Sequence, residues 1–454
     1  MQIKLPDEVL YIINTLEKNG YEAFAVGGCV RDSLLGNEPQ DWDICTSALP
    51  EQMMSCFVGH HIIETGLKHG TITLMLNEKP FECTTYRVDG KYKDNRRPES
   101  VKFVNVLKRD LARRDFTINA IAYNPKVGFV DYYEGQQDLI AKQIKCVGNA
   151  DKRFSEDALR ILRALRFAST FGFSVEDNTA QAMQNNKALL GNIAVERIAT
   201  ELNKLILGDN VRVLLSAHLP VIFEIIPEIE PMVGFEQNNP YHCYDVLTHT
   251  LASIDAAPKE LVLRLTMLFH DIGKPKCYTE SDDGIGHFYG HQQKSSDMAR
   301  EILSRLKYDK ATIHAVTELV LYHDAKIELS RKHIKRWLNR IGKDRLLQLL
   351  EVKRADAMAR SEKHRQTNLD AIGATLHLLD EIIALQQCFS LKDLKVNGRD
   401  LIDAGVTEGT KIGIILNRLV DAVIDEEVSN DRSELLEYFY RQKMNSCQIV
   451  NDIE

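Results

Sequence analysis

The sequence predicts an α+β chain, a mixed head followed by helices alone. Three observations predict it. Up to about residue 150, short β-branched and aromatic runs alternate with short helical stretches. From Ser155 onward apolar residues recur at helical spacing to the end of the sequence. The 454 residues are 44% hydrophobic and 27% charged, a globular composition that excludes disordered, collagen-like and fibrous classes. At about 150 residues per domain the length suits about three domains, each able to bury a core.

Taken in order, residues 6–18 read as a helix and residues 23–28 as a short apolar run ending in Gly-Gly. Residues 41–46, 71–76 and 81–87 read as strands, with short helices at 29–35 and 51–57 between them. Ser155 reads as the N-cap of a helix with acids in its first turn. Residues 226–240 carry three prolines and Gly234 and read as a boundary. A His-rich helical block follows to about Ala359, and the remainder from about Thr367 is helical. The expected domains are 1–150, 151–235, 236–365 and 366–454.

Lys plus Arg is 57 and Asp plus Glu is 65, so the net charge of −8 excludes a uniformly basic nucleic-acid coat. Charge is uneven, however. Residues 87–115 hold ten Lys/Arg against five Asp/Glu, a footprint expected of nucleic-acid contact. Residues 331–340 hold five Lys/Arg and no acid, read as a solvated helix face with Trp337 packed inward or as a phosphate-contacting stripe. The apolar stretch 261–269 is far too short to span a bilayer, so no membrane partner is expected. The first residues lack the apolar core of a signal peptide. Nine cysteines with no Cys-x-x-Cys pair read as reduced thiols of a cytoplasmic protein.

The sharpest local pattern is Gly27-Gly28-Cys29-Val30-Arg31-Asp32 followed by Asp41-Trp42-Asp43. A strand ending in Gly-Gly lets backbone approach a phosphate, and the next helix offers free N–H groups. Arg31 adds a charge-assisted phosphate donor. Strand residues two apart share a face, so Asp41 and Asp43 project together and suit Mg²⁺ for phosphoryl or nucleotidyl transfer. Alone, either element is commonly just a turn.

These residues, with Gly36 and Ile44, resemble the signature of class II tRNA nucleotidyltransferases of the polymerase-β superfamily. So do Glu64-Thr-Gly-Leu-Lys-His-Gly-Thr71, Glu82-Cys-Thr-Thr-Tyr-Arg87, Arg96-Arg-Pro98, Arg113-Arg-Asp-Phe-Thr-Ile-Asn-Ala120, Glu156-Asp-Ala-Leu-Arg160 and Glu196-Arg-Ile198, in the family's order. Asn397-Gly-Arg-Asp-Leu401 with Gly405, Gly409 and Gly413 resembles its tail. The resemblance implies a polymerase-β-like head, a helical neck, and a helical tRNA-binding tail. It implies addition of the 3′-terminal CCA of tRNA from CTP and ATP, with Asp41 and Asp43 holding Mg²⁺. The primer's 3′-hydroxyl would attack the α-phosphate and pyrophosphate would leave. Glu82 is a third carboxylate or a structural acid. Arg114 and Asp115 are implied to hold the nucleotide, with Asn119 supporting their loop and Gly27, Gly28, Arg31 and Arg163 completing the nucleotide site.

Asp157 and Arg160, three apart, share one helix face if the helix is continuous. Asp157 can accept from the exocyclic amine of C or A while Arg160 donates to the neighbouring ring acceptor; U and G present a carbonyl instead. In isolation the pair reads as a surface ion pair; inside the motif it reads as base recognition. Residues 88–100 match the family's flexible-loop region, which favours full CCA addition over C addition alone.

His249, His270-Asp271, His291, His323 and Asp356 fall on predicted helices and their ends. Imidazoles with carboxylates suit Mn²⁺, Fe²⁺, Ni²⁺, Co²⁺ or Zn²⁺. The order resembles the HD phosphohydrolase superfamily, implying a metal domain in which Lys274 contacts phosphate; His242 is a rival for the first ligand. Alternatives are a C-only or A-only tRNA nucleotidyltransferase, a poly(A) polymerase, and a metal-dependent phosphohydrolase with an RNA-binding head. Gly66-Leu-Lys-His-Gly-Thr71 stands where bacterial poly(A) polymerases carry a basic element, which counts against that alternative. The sequence leaves the oligomeric state open.

Overall fold

The computed structural model describes residues 2–90, 99–238, 243–385 and 387–451. They divide into two compact units. The first is Met1–Pro231 with Ile302–Tyr308, and the second is Met232–Glu301 with Asp309–Glu454. The proline-rich boundary expected at 226–240 contains the first of these divisions.

The first unit begins with α1 (Asp7–Lys18), whose Val9, Ile12, Ile13 and Leu16 form one buried stripe at helical spacing. There follow β1 (Ala23–Val26), α2 (Gly28–Leu34), β2 (Asp43–Thr46), α3 (Pro50–Cys56), β3 (His61–Ile63), β4 (Thr71–Leu76) and β5 (Lys79–Thr85). Next come β6 (Arg87–Asp89), β7 (Val101–Phe103), α4 (Leu107–Ala112), β8 (Ile121–Asn124), β9 (Gly128–Asp131) and α5 (Gly135–Ile140). Seven strands form one sheet in the order β3-β4-β5-β2-β1-β8-β9. The β2–β5 pair is parallel and the other neighbours are antiparallel. β1 is central and buried at all four positions. Phe24, Val26, Cys45, Tyr86, Leu107 and Leu111 pack into a core beneath it. β6 and β7 pair apart from this sheet, bracketing 91–98. Arg96–Pro98, most of the loop expected at 88–100, and His242 lie outside the described residues; Val88 and Asp89 are strand, not loop.

Helices α6 (Ala150–Glu156), α7 (Leu159–Phe171), α8 (Asp177–Asn186), α9 (Val195–Ile206), α10 (Val211–Ala217) and α11 (Leu219–Phe223) complete the first unit. Two expectations need correction here. The second strand begins at Asp43, so Asp41 lies in the bend before it. The helix expected from Ser155 is two helices. Asn149, not Ser155, caps α6 by accepting from the Lys152 N–H at 2.8 Å. Asp157 then ends α6 in an extended conformation, φ −136° and ψ 102°, before α7 starts. Asp157 and Arg160 therefore do not share a helix face.

The second unit is helical apart from one short antiparallel pair, Thr279–Glu280 with Gly286–His287. Its helices are α12 (Val246–Ala256), α13 (Leu261–Phe269), α14 (His291–Arg305), α15 (Lys310–Tyr322), α16 (Arg331–Ile341) and α17 (Lys343–Met358). α18 (Glu362–Ala384), α19 (Gly398–Asp403), α20 (Gly409–Ile424) and α21 (Arg432–Asn451) follow. The last turn of α14 counts with the first unit. In the tail, Leu401, Val420, Ile424 and Leu435 form a separate apolar core. The basic run 331–340 is α16. Trp337 packs edge-on to Tyr322 at 5.2 Å, Arg331 pairs with Glu381, and Lys332 and Arg336 pair with Asp425 at 2.9 and 2.7 Å. Three of its five cations thus share two carboxylates, Glu381 and Asp425. Among the described residues eight cysteines are free, and no helix is long and apolar enough to cross a membrane.

Candidate functional site

In the first unit, β1 runs into the Gly27-Gly28 turn and then α2. Gly27 sits at φ +84°, in the left-handed region that favours glycine, and a Cβ there would lie 2.9 Å from Arg114 Nη1. The missing side chain thus lets the Arg114 guanidinium close against the turn. On the adjacent strand Asp43 is exposed, and parallel pairing sets it in register with Glu82 of β5. Neighbouring strands are about 4.8 Å apart, so the two carboxylates stand side by side. Burial, then the neighbouring carboxylates, raises Glu82 above its ordinary range. Partial desolvation at the strand end raises Asp43 as well, although its side chain still reaches solvent, with Arg114 opposing and Asp41 adding to the rise. Asp41, Asp43 and Glu82 are thus near enough to repel one another, and carboxylate oxygens are the donors a hard divalent cation takes. That donor chemistry fits Mg²⁺.

Behind this face runs a chain of polar contacts that the sequence did not reveal. Arg31 donates to Asp32 through Nε at 2.8 Å and to Asn119 Oδ1 through Nη1 at 2.6 Å. Its guanidinium also lies 5.1 and 4.8 Å from the ring centres of Phe167 and Phe171. Asn119 in turn donates to Asp115 Oδ1 at 3.0 Å, and Arg163 donates twice to Asp115 Oδ2 at 2.9 and 2.6 Å. Burial would raise the Asp115 carboxyl, but Arg163 and the Asn119 bond outweigh it and hold it well below the ordinary range. Arg31, Asn119, Asp115 and Arg163 are therefore one connected unit. Arg31 spends three of its five N–H donors on Asp32 and Asn119, while Arg114 pairs with Asp110 at 3.5 Å and lies against the Gly27 turn.

Arg160 is buried. It donates to the Arg153 carbonyl at 3.1 Å, to Glu156 at 3.0 Å and to the Arg113 carbonyl at 3.1 Å. It thereby ties the Asp157 bend to the Arg114–Asp115 loop. Asp157 accepts from the Leu159 N–H at 3.2 Å and lies 3.5 Å from Arg197, so the arginine beside it comes from Glu196-Arg197-Ile198. Glu156 and Arg197 fall in the Glu156–Arg160 and Glu196–Ile198 motifs, but spacing along the chain does not reveal that Arg197 meets Asp157.

In the second unit six predicted residues converge. His249 is on α12, His270 and Asp271 end α13, His291 opens α14, His323 ends α15, and Asp356 is on α17. His249, His270 and Asp271 can hold one ion, and Asp271, His291 and His323 a second. Each Nδ1 faces a backbone carbonyl: Met267 for His270 at 2.8 Å, Phe288 for His291 at 2.7 Å, Val320 for His323 at 2.7 Å, and Ala359 for His249 at 3.3 Å. A carbonyl only accepts, so each Nδ1 is placed to donate a proton to it, and Nε2 is the ring atom turned toward the set. Nε2 of His249 and His270 are 3.3 Å apart, as are those of His291 and His323. Ring nitrogens crowded around Asp271 fit a bound cation. Lys274 Nζ lies 2.7 Å from Asp271. Arg360, missed in the sequence although it stands one helical turn after Asp356, pairs with Asp356 at 2.6 Å. Burial lowers His249 and pushes His291 down to about 4, whereas at His270 the Asp271 and Asp356 carboxylates outweigh burial and raise it.

Comparison with known proteins follows the same division. Residues 23–145 match the family model of the Poly A polymerase head domain. Residues 172–217 match that of the probable RNA and SrmB-binding site of polymerase A. Residues 280–439 match the putative tRNA nucleotidyltransferase domain 2. The chain is 32% identical over 430 residues to the CCA-adding enzyme of Lactiplantibacillus plantarum, covering 94% of each. It is 46% identical over 219 residues to that of Bacillus cereus, which is 46% of this chain and 55% of the relative. Among solved structures, the Bacillus stearothermophilus CCA-adding enzyme in complex with CTP aligns with TM-score 0.68 at 27% identity, covering 96% of this chain and 98% of that one. The Thermotoga maritima CCA-adding enzyme complexed with tRNA aligns with TM-score 0.61 at 20% identity over 97% and 100% of the two chains, a likeness of fold.

Proposed function

The chain belongs to the family of CCA-adding enzymes, and from that premise we propose that it builds and repairs the 3′-terminal CCA of tRNA from CTP and ATP without a nucleic-acid template. The observation that carries the reading is the alignment along nearly the whole chain with the Lactiplantibacillus plantarum enzyme. The in-register Asp43–Glu82 pair supports its chemistry.

In this reading Asp41 and Asp43 hold Mg²⁺, with Glu82 as the third carboxylate. Mg²⁺ bound there supplies positive charge against the phosphates. The primer 3′-oxygen attacks the α-phosphorus, its proton is lost, and the bond to the departing pyrophosphate breaks. The Gly27-Gly28 turn and Arg114 receive the triphosphate. The Arg31–Asn119–Asp115–Arg163 chain fixes the loop that carries Arg114. Asp157 accepts from the exocyclic amine of C or A, and Arg160 reaches the ring acceptor by exchanging the Glu156 carboxylate for it. U and G would set a carbonyl against Asp157 and leave buried polar groups unpaired, costing about 1–3 kcal/mol. The test is single-nucleotide addition to tRNA transcripts ending before the first C, after C and after CC. Ordered C, C, A addition supports the reading; addition of only one nucleotide type, or an open-ended A tail, would favour the C-only, A-only or poly(A) alternatives.

The convergence of inward imidazole nitrogens on Asp271 favours a second reading for the second unit. It is an HD-type centre for one or two divalent metals, acting on phosphoesters. His249, His270, Asp271, His291, His323 and Asp356 would hold the metals, supplying an electrophile and an activated water there. Lys274 and Arg360 pair with Asp271 and Asp356 of that set.

A further inference from the structure

Beside the Arg114 guanidinium, away from the substrate face, stands Asp110, a fully buried carboxylate on α4. Acids are seldom wholly buried unless paired, and Asp110 divides its two oxygens between different tasks. Oδ1 accepts from the Arg87 N–H, at the start of β6, at 3.2 Å and from Arg113 Nε at 2.9 Å. Oδ2 accepts no hydrogen bond among the described residues and lies 3.5 Å from Arg114 Nη2. Arg114 Nε likewise has no hydrogen-bond partner among them, although its side chain is only 19% exposed. Charge from Asp110 therefore holds Arg114 on one side, and the Gly27 turn closes against it on the other. Burial disfavours the charged guanidinium, and Asp110 leads the groups that outweigh burial and raise it. Burial would raise Asp110 in turn, but Arg113 and Arg114 outweigh it and hold the carboxyl low. An arginine fixed by charge, with a buried donor unspent, suits an incoming anion. The Oδ1 branch leads elsewhere. Arg113, which it fastens, offers its carbonyl to Arg160 Nη2 at 3.1 Å.

We propose that Asp110 is a positioning residue for nucleotidyl transfer: its Oδ2 holds Arg114 toward the triphosphate, while its Oδ1 separately fastens Arg113 and the start of β6. The inference rests on the reading above in which Arg114 receives the triphosphate, and adds the residue that sets Arg114 in place. Asp110 touches neither substrate nor reacting atoms. No bond is made or broken at it, and its charge acts through Arg114.

The test compares the full-length wild type with Asp110→Asn, Arg114→Ala and the double variant, all with Mg²⁺. Asp110→Asn keeps an oxygen for Arg87 and Arg113 but turns an N–H₂ toward Arg114, donor against donor. Calorimetry measures binding of inorganic tripolyphosphate, a probe with no base and no primer. Steady-state addition to tRNA lacking CCA gives KM for CTP and ATP and the preference for C over U. Asp110→Asn is expected to weaken tripolyphosphate binding by about tenfold and to raise both KM values by a similar factor. The preference for C over U should stay at the wild-type value, because the Arg113 contact persists. In the Arg114→Ala background Asp110→Asn should cost less than about twofold more, since the two act as one unit. Asp110→Ser, also neutral and too small to overfill the site, is carried alongside, and the losses are read from whichever variant keeps the wild-type circular dichroism. Unchanged tripolyphosphate affinity, a fully additive loss in the double variant, or an equal fall in the preference for C over U overturns the proposal. If the wild type adds no nucleotide to tRNA, the nucleotidyl-transfer reading fails, and the calorimetric comparison alone decides whether Asp110 places Arg114.

Discussion

Replacing Asp157 with Ala separates base selection from catalysis. The side chain caps the Leu159 N–H at 3.2 Å and meets Arg197 at 3.5 Å, with 18% and 30% of the two side chains exposed. Losing such a cap costs about 1 kcal/mol, and a partly exposed ion pair contributes about 0.2–1 kcal/mol. A domain with about 5–15 kcal/mol of stability stays folded after that loss. Selection should suffer more. Removing the acceptor for the exocyclic amine should cut discrimination against UTP and GTP by about 1–3 kcal/mol, roughly ten- to a hundredfold. Asp41, Asp43 and Arg114 are untouched, so addition should remain measurable. Asp157→Asn is the matched control. It keeps the cap but brings an N–H₂ that can answer a carbonyl, so acceptance of UTP should rise. The assay is steady-state addition of each of the four nucleotides to tRNA lacking CCA. An unchanged preference for C over U in Asp157→Ala would refute the assignment and leave Asp157 as a helix-capping residue.

The double variant His270→Ala, Asp271→Ala should lose transition metal from the second unit, read by elemental analysis after dialysis, while CTP incorporation persists. Loss of incorporation in a folded double variant would show that the sites are not independent. Asp115→Asn should destabilise the chain by about 1–3 kcal/mol at neutral pH by loosening the Arg163 and Asn119 bonds. The Asp115 carboxyl is held below its ordinary value, so its contribution is full above the unfolded carboxylate pKa of about 3.9 and is lost as pH falls through the lower, folded value. The gap in Tm between wild type and Asp115→Asn should therefore narrow in strong acid; a gap that widens there would contradict the sign.

Local patterns were legible in the sequence wherever periodicity or turn chemistry decided the structure. The α1 stripe, the Gly-Gly turn and the alternation of β4 and β5 are such cases. The His/Asp set was picked out by its order, which resembles the HD superfamily, and the structure brings those side chains together. What escaped depended on partners far apart along the chain. The Arg31–Asn119 bond joins residues 88 apart, and Arg163 reaches Asp115 across 48. Neither leaves a periodic trace. The break at Asp157 escaped for a different reason. Apolar spacing continues through it, and only the backbone, with the Asp157 carboxylate capping the next helix, shows where one helix stops.

The central claim is tested by incubating the purified chain with Mg²⁺ and a tRNA transcript lacking CCA, with CTP, ATP and both together, beside Asp41→Ala. The account predicts two added residues with CTP alone, three with CTP and ATP, and none with Asp41→Ala although tRNA binding persists. Addition by Asp41→Ala at the wild-type rate would contradict it.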